Sequence, residues 1–264
     1  MAVVNDLFIL QLDRLREKLR NILIDKGIIK DKDATLEELV EAVKETDMKD
    51  SFVGYLNGIT PSYINTNDII VLRTGQFQDS TTLEKIKIPN AVTLQAQCFE
   101  NCSNLKNVYS PNCVNIYNNV FANTAVENII LPNVHYVGSN GCSFTSKKLK
   151  RLIAQNLNTL GVFDTLSAEL MDVGSPCQST IDNYLPLLKV FVIRTSSLKN
   201  IASNRIFQNL EEVYVPQAMV EKYKTATNWS VYADKIKPIE GSKYENLEWY
   251  KNEEWYAEEM SVWE

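Results

Sequence analysis

Five cysteines and one histidine are the residues of this 264-residue chain best suited to metal or nucleophile chemistry, and their spacing argues against both. A tetrahedral zinc site needs four sulfur or nitrogen donors converging on one point. Cys98 and Cys102 supply a Cys-x-x-x-Cys pair, but His135 is the only imidazole that could join them. Cys98, Cys102, Cys113, Cys142 and Cys177 are odd in number, so a disulfide framework would leave one thiol over. The simpler reading is a set of buried thiols packed as small apolar groups. His135 lies in Pro132-Asn-Val-His-Tyr-Val137 with no catalytic motif around it and reads as a solvent-exposed residue.

Other reactions fare no better. A serine or cysteine nucleophile needs a positioned base, and the chain has neither a Gly-x-Ser-x-Gly elbow nor a cysteine-hydrolase signature. Gly138-Ser-Asn-Gly141 has two glycines but lacks a preceding dinucleotide-fold strand and a P-loop lysine, so it reads as a turn. Two carboxylates could hydrolyse a glycoside, yet with 33 acidic residues no pair stands out. The expectation is a non-enzymatic chain with no catalytic residue, no metal and no cofactor.

Binding chemistry is better represented. Residues 243–264 hold three of the four tryptophans and seven glutamates against Lys243 and Lys251, a balance of −5 within a net charge of −6. Trp249, Tyr256 and Trp263 are spaced by seven, with Tyr250 and Trp255 adjacent, so a helix would present them as one stripe. Such a stripe either packs on the preceding structure or on a neighbouring subunit, which is the preferred reading, or binds sugar. In the second case rings stack on C–H faces while carboxylates accept hydroxyl hydrogens. Trp249, Trp255, Tyr256 and Trp263 are therefore candidate binding residues.

The elements that position these groups follow from a repeat. Phe77, Phe99, Phe121, Phe144 and Phe163 recur at intervals of 22, 22, 23 and 19 residues. Ile70, Val92 and Val114 are 22 apart, and Leu72, Leu94, Ile116, Val137 and Leu160 keep nearly the same phase. Several columns in phase mark a solenoid, in which one short unit buries its apolar side against copies of itself. Each unit opens with an alternating run closed by proline, as in Leu83-x-x-Ile86-x-Ile88-Pro89, Leu105-x-x-Val108-x-Ser110-Pro111 and Val126-x-x-Ile129-x-Leu131-Pro132. Alternation predicts a short strand with one face inward, and proline, lacking an N–H, ends it. Leu149-x-x-Leu152-x-Ala154 and Leu210-x-x-Val213-x-Val215-Pro216 continue the pattern. Leu170-x-x-Val173-x-Ser175-Pro176 fits it too, and the next strand opens at Leu187 or Leu188. The central outward column, Lys87, Tyr109, Ile130, Ile153 and Tyr214, is the candidate recognition surface of the solenoid.

The segment from Leu83 to Leu105 closely resembles the unit of the BspA-type leucine-rich repeats, including its Phe-x-Asn-Cys-x-x-Leu ending. The resemblance covers roughly residues 59 to 240. Val213-Tyr-Val-Pro216, Tyr223-Lys-Thr-Ala-Thr-Asn-Trp229 and Tyr232-Ala-Asp-Lys-Ile236 look like the closing unit of such proteins. It implies a leucine-rich-repeat solenoid of short strands and irregular coils that contacts cell surfaces or extracellular partners.

Residues 1–50 break from the repeat. Phe8, Leu12, Leu15, Leu19 and Ile22 follow a 4-3-4-3 spacing amid charged residues, the seam of a helix that packs on a partner. Thr35-Leu-Glu-Glu38 is a capping box announcing a second helix, with Leu36, Leu39, Val40 and Val43 on its apolar face. Assembly with other subunits is preferred over capping of the first coil, because a seam this short gains stability from a partner. This helical start resembles that of phage tail-associated proteins carrying the same repeat.

Composition bounds the rest. Basic residues number 27 against 33 acidic, with no basic stripe, which argues against a nucleic-acid partner. No apolar run reaches the roughly 18 residues of a membrane span. Asn5, Asp6 and Asp13 interrupt the first apolar stretch, so export by the usual secretory route is not expected. The reading is an α+β chain: an N-terminal α-helical attachment and oligomerisation segment (1–50), a leucine-rich-repeat solenoid with closing unit (51–240) and an acidic aromatic tail (241–264). Its expected role is a phage virion protein, made in the host cytoplasm and recognising a host-surface protein or polysaccharide. A bacterial cell-surface adhesion protein and an enzyme acting on surface glycans are the alternatives.

Overall fold

The computed structural model describes residues 16–17, 20–21, 23–24, 35, 38–39, 62–138, 146, 148–158, 167–175, 180–182 and 184–263. The chain divides into two compact units, Met1–Ile59 and Thr60–Glu264. In the first, Arg16, Glu17, Arg20, Asn21, Leu23 and Ile24 are helical, and Leu23 and Leu39 are buried. The Thr35 box is formed: Thr35 N and Oγ1 donate to Glu38 Oε2 at 2.7 and 2.9 Å, and Glu38 N donates to Thr35 Oγ1 at 3.3 Å. Two donors at a helix start are thereby satisfied reciprocally. The seam residues Phe8, Leu12, Leu15, Leu19 and Ile22 lie outside the described residues, as do Cys142, Phe144, Leu160, Phe163, Pro176 and Cys177.

The second unit is a solenoid of parallel strands. Its main ladder begins with β1 (Tyr63–Asn65), β3 (Lys85–Lys87) and β5 (Asn107–Tyr109). It continues through β7 (Asn128–Ile130), β9 (Arg151–Ala154), β10 (Leu170–Val173), β12 (Val190–Ile193), β14 (Glu212–Val215) and β15 (Ile236–Pro238). Strand partners place Ile64, Ile86 and Val108 in one column, then Ile129, Leu152, Met171, Phe191, Val213 and Ile236 in the next. Those of the second column are all buried and share one core that runs from Leu72 to Ile236. Each such side chain contributes on the order of 1.5–3 kcal/mol by leaving water, which no single coil could gather alone.

On the opposite side, β2 (Val71–Leu72), β4 (Thr93–Leu94), β6 (Asn115–Ile116) and β8 (Tyr136–Val137) form a second parallel ladder, and β11 (Thr180–Ile181) pairs in parallel with β13 (Asn200–Ile201). Leu72, Leu94, Ile116 and Val137 point inward, as their phase predicts. Ile70 and Val92 do not: they are 51% and 36% exposed. The chain turns just before each two-residue strand, so the inward partner sits three residues earlier rather than two. Ala91, Cys113 and Val134 fill that column and are buried.

The aromatic ladder is stacked where it is described, with ring centroids 6.0 Å apart for Phe77–Phe99 and 5.9 Å for Phe99–Phe121. The turns around it require left-handed backbone twice per coil. Gly75, Gln97 and Asn119 have φ near +60°, and so do Asp79, Asn101 and Asn123 four residues on. Asparagine tolerates this region because its short amide bonds locally. Here the amides also bridge coils: Asn101 Nδ2 donates to Asp79 Oδ1 at 2.7 Å and Asn123 Nδ2 to Asn101 Oδ1 at 2.8 Å. Asn101→Ala is expected to lower unfolding free energy by about 2 kcal/mol through left-handed strain and two lost bonds. Chemical denaturation measures it.

Two register assignments change. Met171 pairs with Leu152 and Phe191, so the unit reads Ala168-x-x-Met171-x-Val173, two residues earlier than the Leu170 alignment. Alanine in the opening position hid it. A Cβ on Gly174 would lie 2.3 Å from the Leu157 carbonyl, so only glycine lets the following turn close on the coil before. In the next unit Leu188 is buried and Leu187 is 46% exposed, which settles the start at Leu188.

The closing unit caps the core. Helix α1 (Val220–Thr225) leads to Trp229, which is fully buried and donates Nε1–H to the Lys199 carbonyl at 2.7 Å. Tyr223 Oη accepts from Lys199 N at 3.0 Å, and Tyr232 Oη donates to the Asn204 carbonyl at 2.7 Å. Polar tips thus meet the open end of the ladder while the rings cover its apolar interior.

Cys98, Cys102 and Cys113 are free and buried, as the small-group reading requires. Burial is the first cause that pushes all three thiols up from 9.0, Cys98 well above it and Cys102 and Cys113 to about 12. Unfolded thiols therefore lose their protons near pH 9 while the folded ones keep theirs. Stability is retained below about pH 9 and falls as pH rises toward 12. Denaturation midpoints across that range should decline, and the three thiols should resist alkylation at pH 8.5 until denaturant is added.

Candidate cleft between the ladder and the C-terminal segment

After β15 the chain reverses at Gly241, whose φ of 78° suits a residue without a Cβ, and runs back across the outer face of the main ladder. The first part of this return is held by packing. Tyr244 lies on Tyr214 at 4.6 Å between centroids and Trp249 on Tyr244 at 4.8 Å. With Tyr250, these rings bury Ile153 and Val192 in a second core. Ile153, read as part of the outward recognition column, is therefore wholly covered.

A buried carboxylate fixes the same stretch. Asp172, fully buried, accepts from Arg194 through Nε to Oδ1 at 2.6 Å and through the second guanidinium nitrogen to Oδ2 at 2.7 Å. Gln155 Nε2 and Trp249 Nε1 each donate to Oδ2 at 2.7 Å. Gln155 and Arg194 also donate to the carbonyls of Leu247 and Tyr244 at 2.9 Å. Three neighbouring coils thus grip the returning chain at three points.

The second part is held mainly by polar contacts. Helix α2 (Glu254–Ser261) has no buried residue. Trp255 lies 4.6 Å from the Arg151 guanidinium, a cation–π contact. Glu259 accepts from Asn107 at 2.8 Å and from Asn128 at 2.9 Å, and the Val262 carbonyl accepts from Lys85 Nζ at 2.7 Å. Trp263 ends between Tyr63 and Tyr109, at 6.2 and 6.1 Å. The seven-residue spacing of Trp249, Tyr256 and Trp263 is not a single helical stripe, because a 3₁₀ turn (Trp249–Asn252) and Glu253 precede α2. Trp249 is nonetheless buried in the second core.

Between this second part and the ladder lies a cleft of about 230 Å³. Tyr109, Ile130, Asn112 and Asn133 line it from the solenoid; Tyr250, Tyr256, Trp263, Glu248, Lys251 and Glu259 line it from the return. Burial is the main cause raising the Tyr250 and Tyr256 phenols above their ordinary value, and Tyr109 raises both further. Both therefore remain protonated donors at neutral pH.

Of the residues singled out from sequence, Tyr109, Ile130, Tyr256 and Trp263 meet in this cleft. Lys87 Nζ stands 5.7 Å above the Tyr109 ring, outside the lining, and Tyr214 is under Tyr244 with its hydroxyl on Glu212 at 3.1 Å. Sequence reasoning missed Asn112, Asn133 and the Asp172 network. A carboxylate within Leu170-Met-Asp-Val173, one repeat length before Arg194, was the available signal for the network. His135 is exposed, as expected, with Nδ1 2.7 Å from the Asn133 carbonyl. Among the described residues, no group of His, Cys, Asp and Glu is arranged to hold a metal, and no helix is long and apolar enough to cross a membrane.

The stacked parallel coils define a leucine-rich-repeat solenoid. Residues 60–173 carry six copies of the BspA type leucine rich repeat region, and the strand ladder continues that repeat to Pro238. No curated protein matches the chain. Among solved structures, it is similar to the pneumococcal vaccine antigen PcpA at 17% identity, with a TM-score of 0.41, over 69% of this chain and 41% of that one. It is also similar to a leucine-rich repeat protein from Bacteroides ovatus at 18% identity, with a TM-score of 0.29, over 66% of this chain and 58% of that one. The chain thus spans less than two thirds of either structure.

Proposed function

We propose that this chain is a non-enzymatic recognition protein of a phage tail, attached to the particle by residues 1–50 and meeting a protein or polysaccharide of the host surface through the cleft beneath α2. The observation that carries this reading is the cleft itself. It gathers three phenols, an indole and polar side chains on a repeat scaffold, and among the described residues no group of His, Cys, Asp and Glu is arranged to hold a metal. Concave sites with aromatic walls and a few polar groups are where ligands bind. The heptad seam from Phe8 to Ile22 supports attachment, since a helix so short is stabilised by a partner.

Binding of the purified full chain to intact bacterial cells tests the reading. Labelled protein should be retained by untreated cells, and retention should fall when the ligand class is removed, either by stripping surface polysaccharide or by protease. Equal retention by untreated cells and by cells subjected to both treatments would overturn it. Antibody to the chain should decorate phage tails in electron micrographs; bare tails would remove the virion part alone.

A further inference from the structure

We infer that the cleft beneath α2 takes a neutral saccharide of one or two rings. This deepens the reading of the chain as a surface binder and rests on it. Four observations converge. Tyr109, Tyr256 and Trp263 bring three aromatic rings into the lining, the side-chain type that packs on the C–H faces of a pyranose. The hydroxyls of Tyr109, Tyr250 and Tyr256 are committed to no hydrogen bond among the described residues, and each can both donate and accept, which matches a ligand that carries donor and acceptor on every carbon. Trp263, in the same lining, carries an Nε1–H that is buried with no acceptor among the described residues, a donor that a ligand reaches once the ring shifts. Asn112 and Asn133 spend their amide N–H on the Pro89 and Pro111 carbonyls at 3.0 Å, leaving side-chain carbonyl oxygens at the rim.

Charge and size narrow the class. Glu248 and Glu259 outnumber Lys251, whose ammonium is already bonded to Glu248, so a uronate or sialate would meet uncompensated negative charge. A purely apolar ligand would strand the phenols and amides. A volume of about 230 Å³ lies below the roughly 300–1,000 Å³ typical of sites for drug-sized ligands, which limits occupancy to one or two sugar rings.

Titration of the full chain with neutral hexoses, N-acetylhexosamines and their disaccharides, beside uronate and sialylated counterparts, tests this. Saturation-transfer NMR reads ligand contact, and tryptophan fluorescence compared with that of the Trp263→Ala variant reads Trp263. At least one neutral sugar should bind, with acidic counterparts at least tenfold weaker. Tyr256→Ala and Trp263→Ala should each reduce affinity at least tenfold, and Tyr109→Phe, which keeps the ring, several-fold with unchanged melting temperature. Binding of acidic sugars in preference, or neutral binding untouched by Tyr256→Ala and Tyr109→Phe, would overturn the inference. Cell retention that survives polysaccharide stripping and falls with protease, with no sugar bound, would overturn the saccharide alone and leave the recognition role standing. Loss of both cell and sugar binding would overturn both.

Discussion

Asp172→Ala is expected to destabilise the protein by about 3–5 kcal/mol and to free the C-terminal segment from the ladder. The carboxylate is buried and accepts four hydrogen bonds, two of them from Arg194. Pairing a buried charge contributes little net stability, because desolvation offsets the attraction. Removing one partner is different. The Arg194 side chain, only 11% exposed, would keep its charge without an anion, and the donors of Gln155 and Trp249 would face alanine. Denaturant midpoints measure the loss, and limited proteolysis should release fragments ending near residue 240. Asp172→Asn retains acceptor capacity and should lie between. A loss below about 1 kcal/mol, with the tail still resistant, would show that packing of Tyr244 and Trp249 holds the segment unaided.

Trp229→Ala should cost about as much, about 3–5 kcal/mol, the range for emptying a large aromatic site in a core. Trp229 is wholly buried against Tyr223, Phe207 and Tyr232 at 5.2, 5.8 and 6.3 Å, and its N–H satisfies the Lys199 carbonyl. The loss falls on the cap of the last coils, so amide exchange should accelerate first around Phe207 and Val213. Uniform acceleration from Leu72 to Ile236 would contradict that local role. Trp229→Phe keeps most of the packing and isolates the hydrogen bond, for which about 1–3 kcal/mol is expected.

Much of the fold was legible because a repeat writes the same constraint many times. Leu72, Leu94, Ile116 and Val137 announce an inward column, and the prolines announce the strand ends. What failed was local: Ile70 and Val92 keep the period yet face water, since period fixes equivalence between coils and not the direction of a side chain. The register near Leu170 slipped because Ala168, at the opening position, carries too small a side chain to signal burial. The cleft was half legible. Tyr109, Tyr256 and Trp263 drew attention as aromatics, but nothing in the spacing says that residues 241–263 fold back over strands as distant as β1. That contact depends on tertiary pairs, Glu259 with Asn107 and Asp172 with Trp249, separated by 152 and 77 residues.

The backward run of the C-terminal segment changes how such a molecule should come apart. An array of stacked units, each touching only its neighbours, ordinarily frays from whichever terminus is weakest. Here the last residues rest on Lys85 and Tyr63, at the opposite extremity of the stack, while Asp172 clasps their middle. Neither end of the stack can peel away without loosening the other, and a linear row of links becomes a closed circuit.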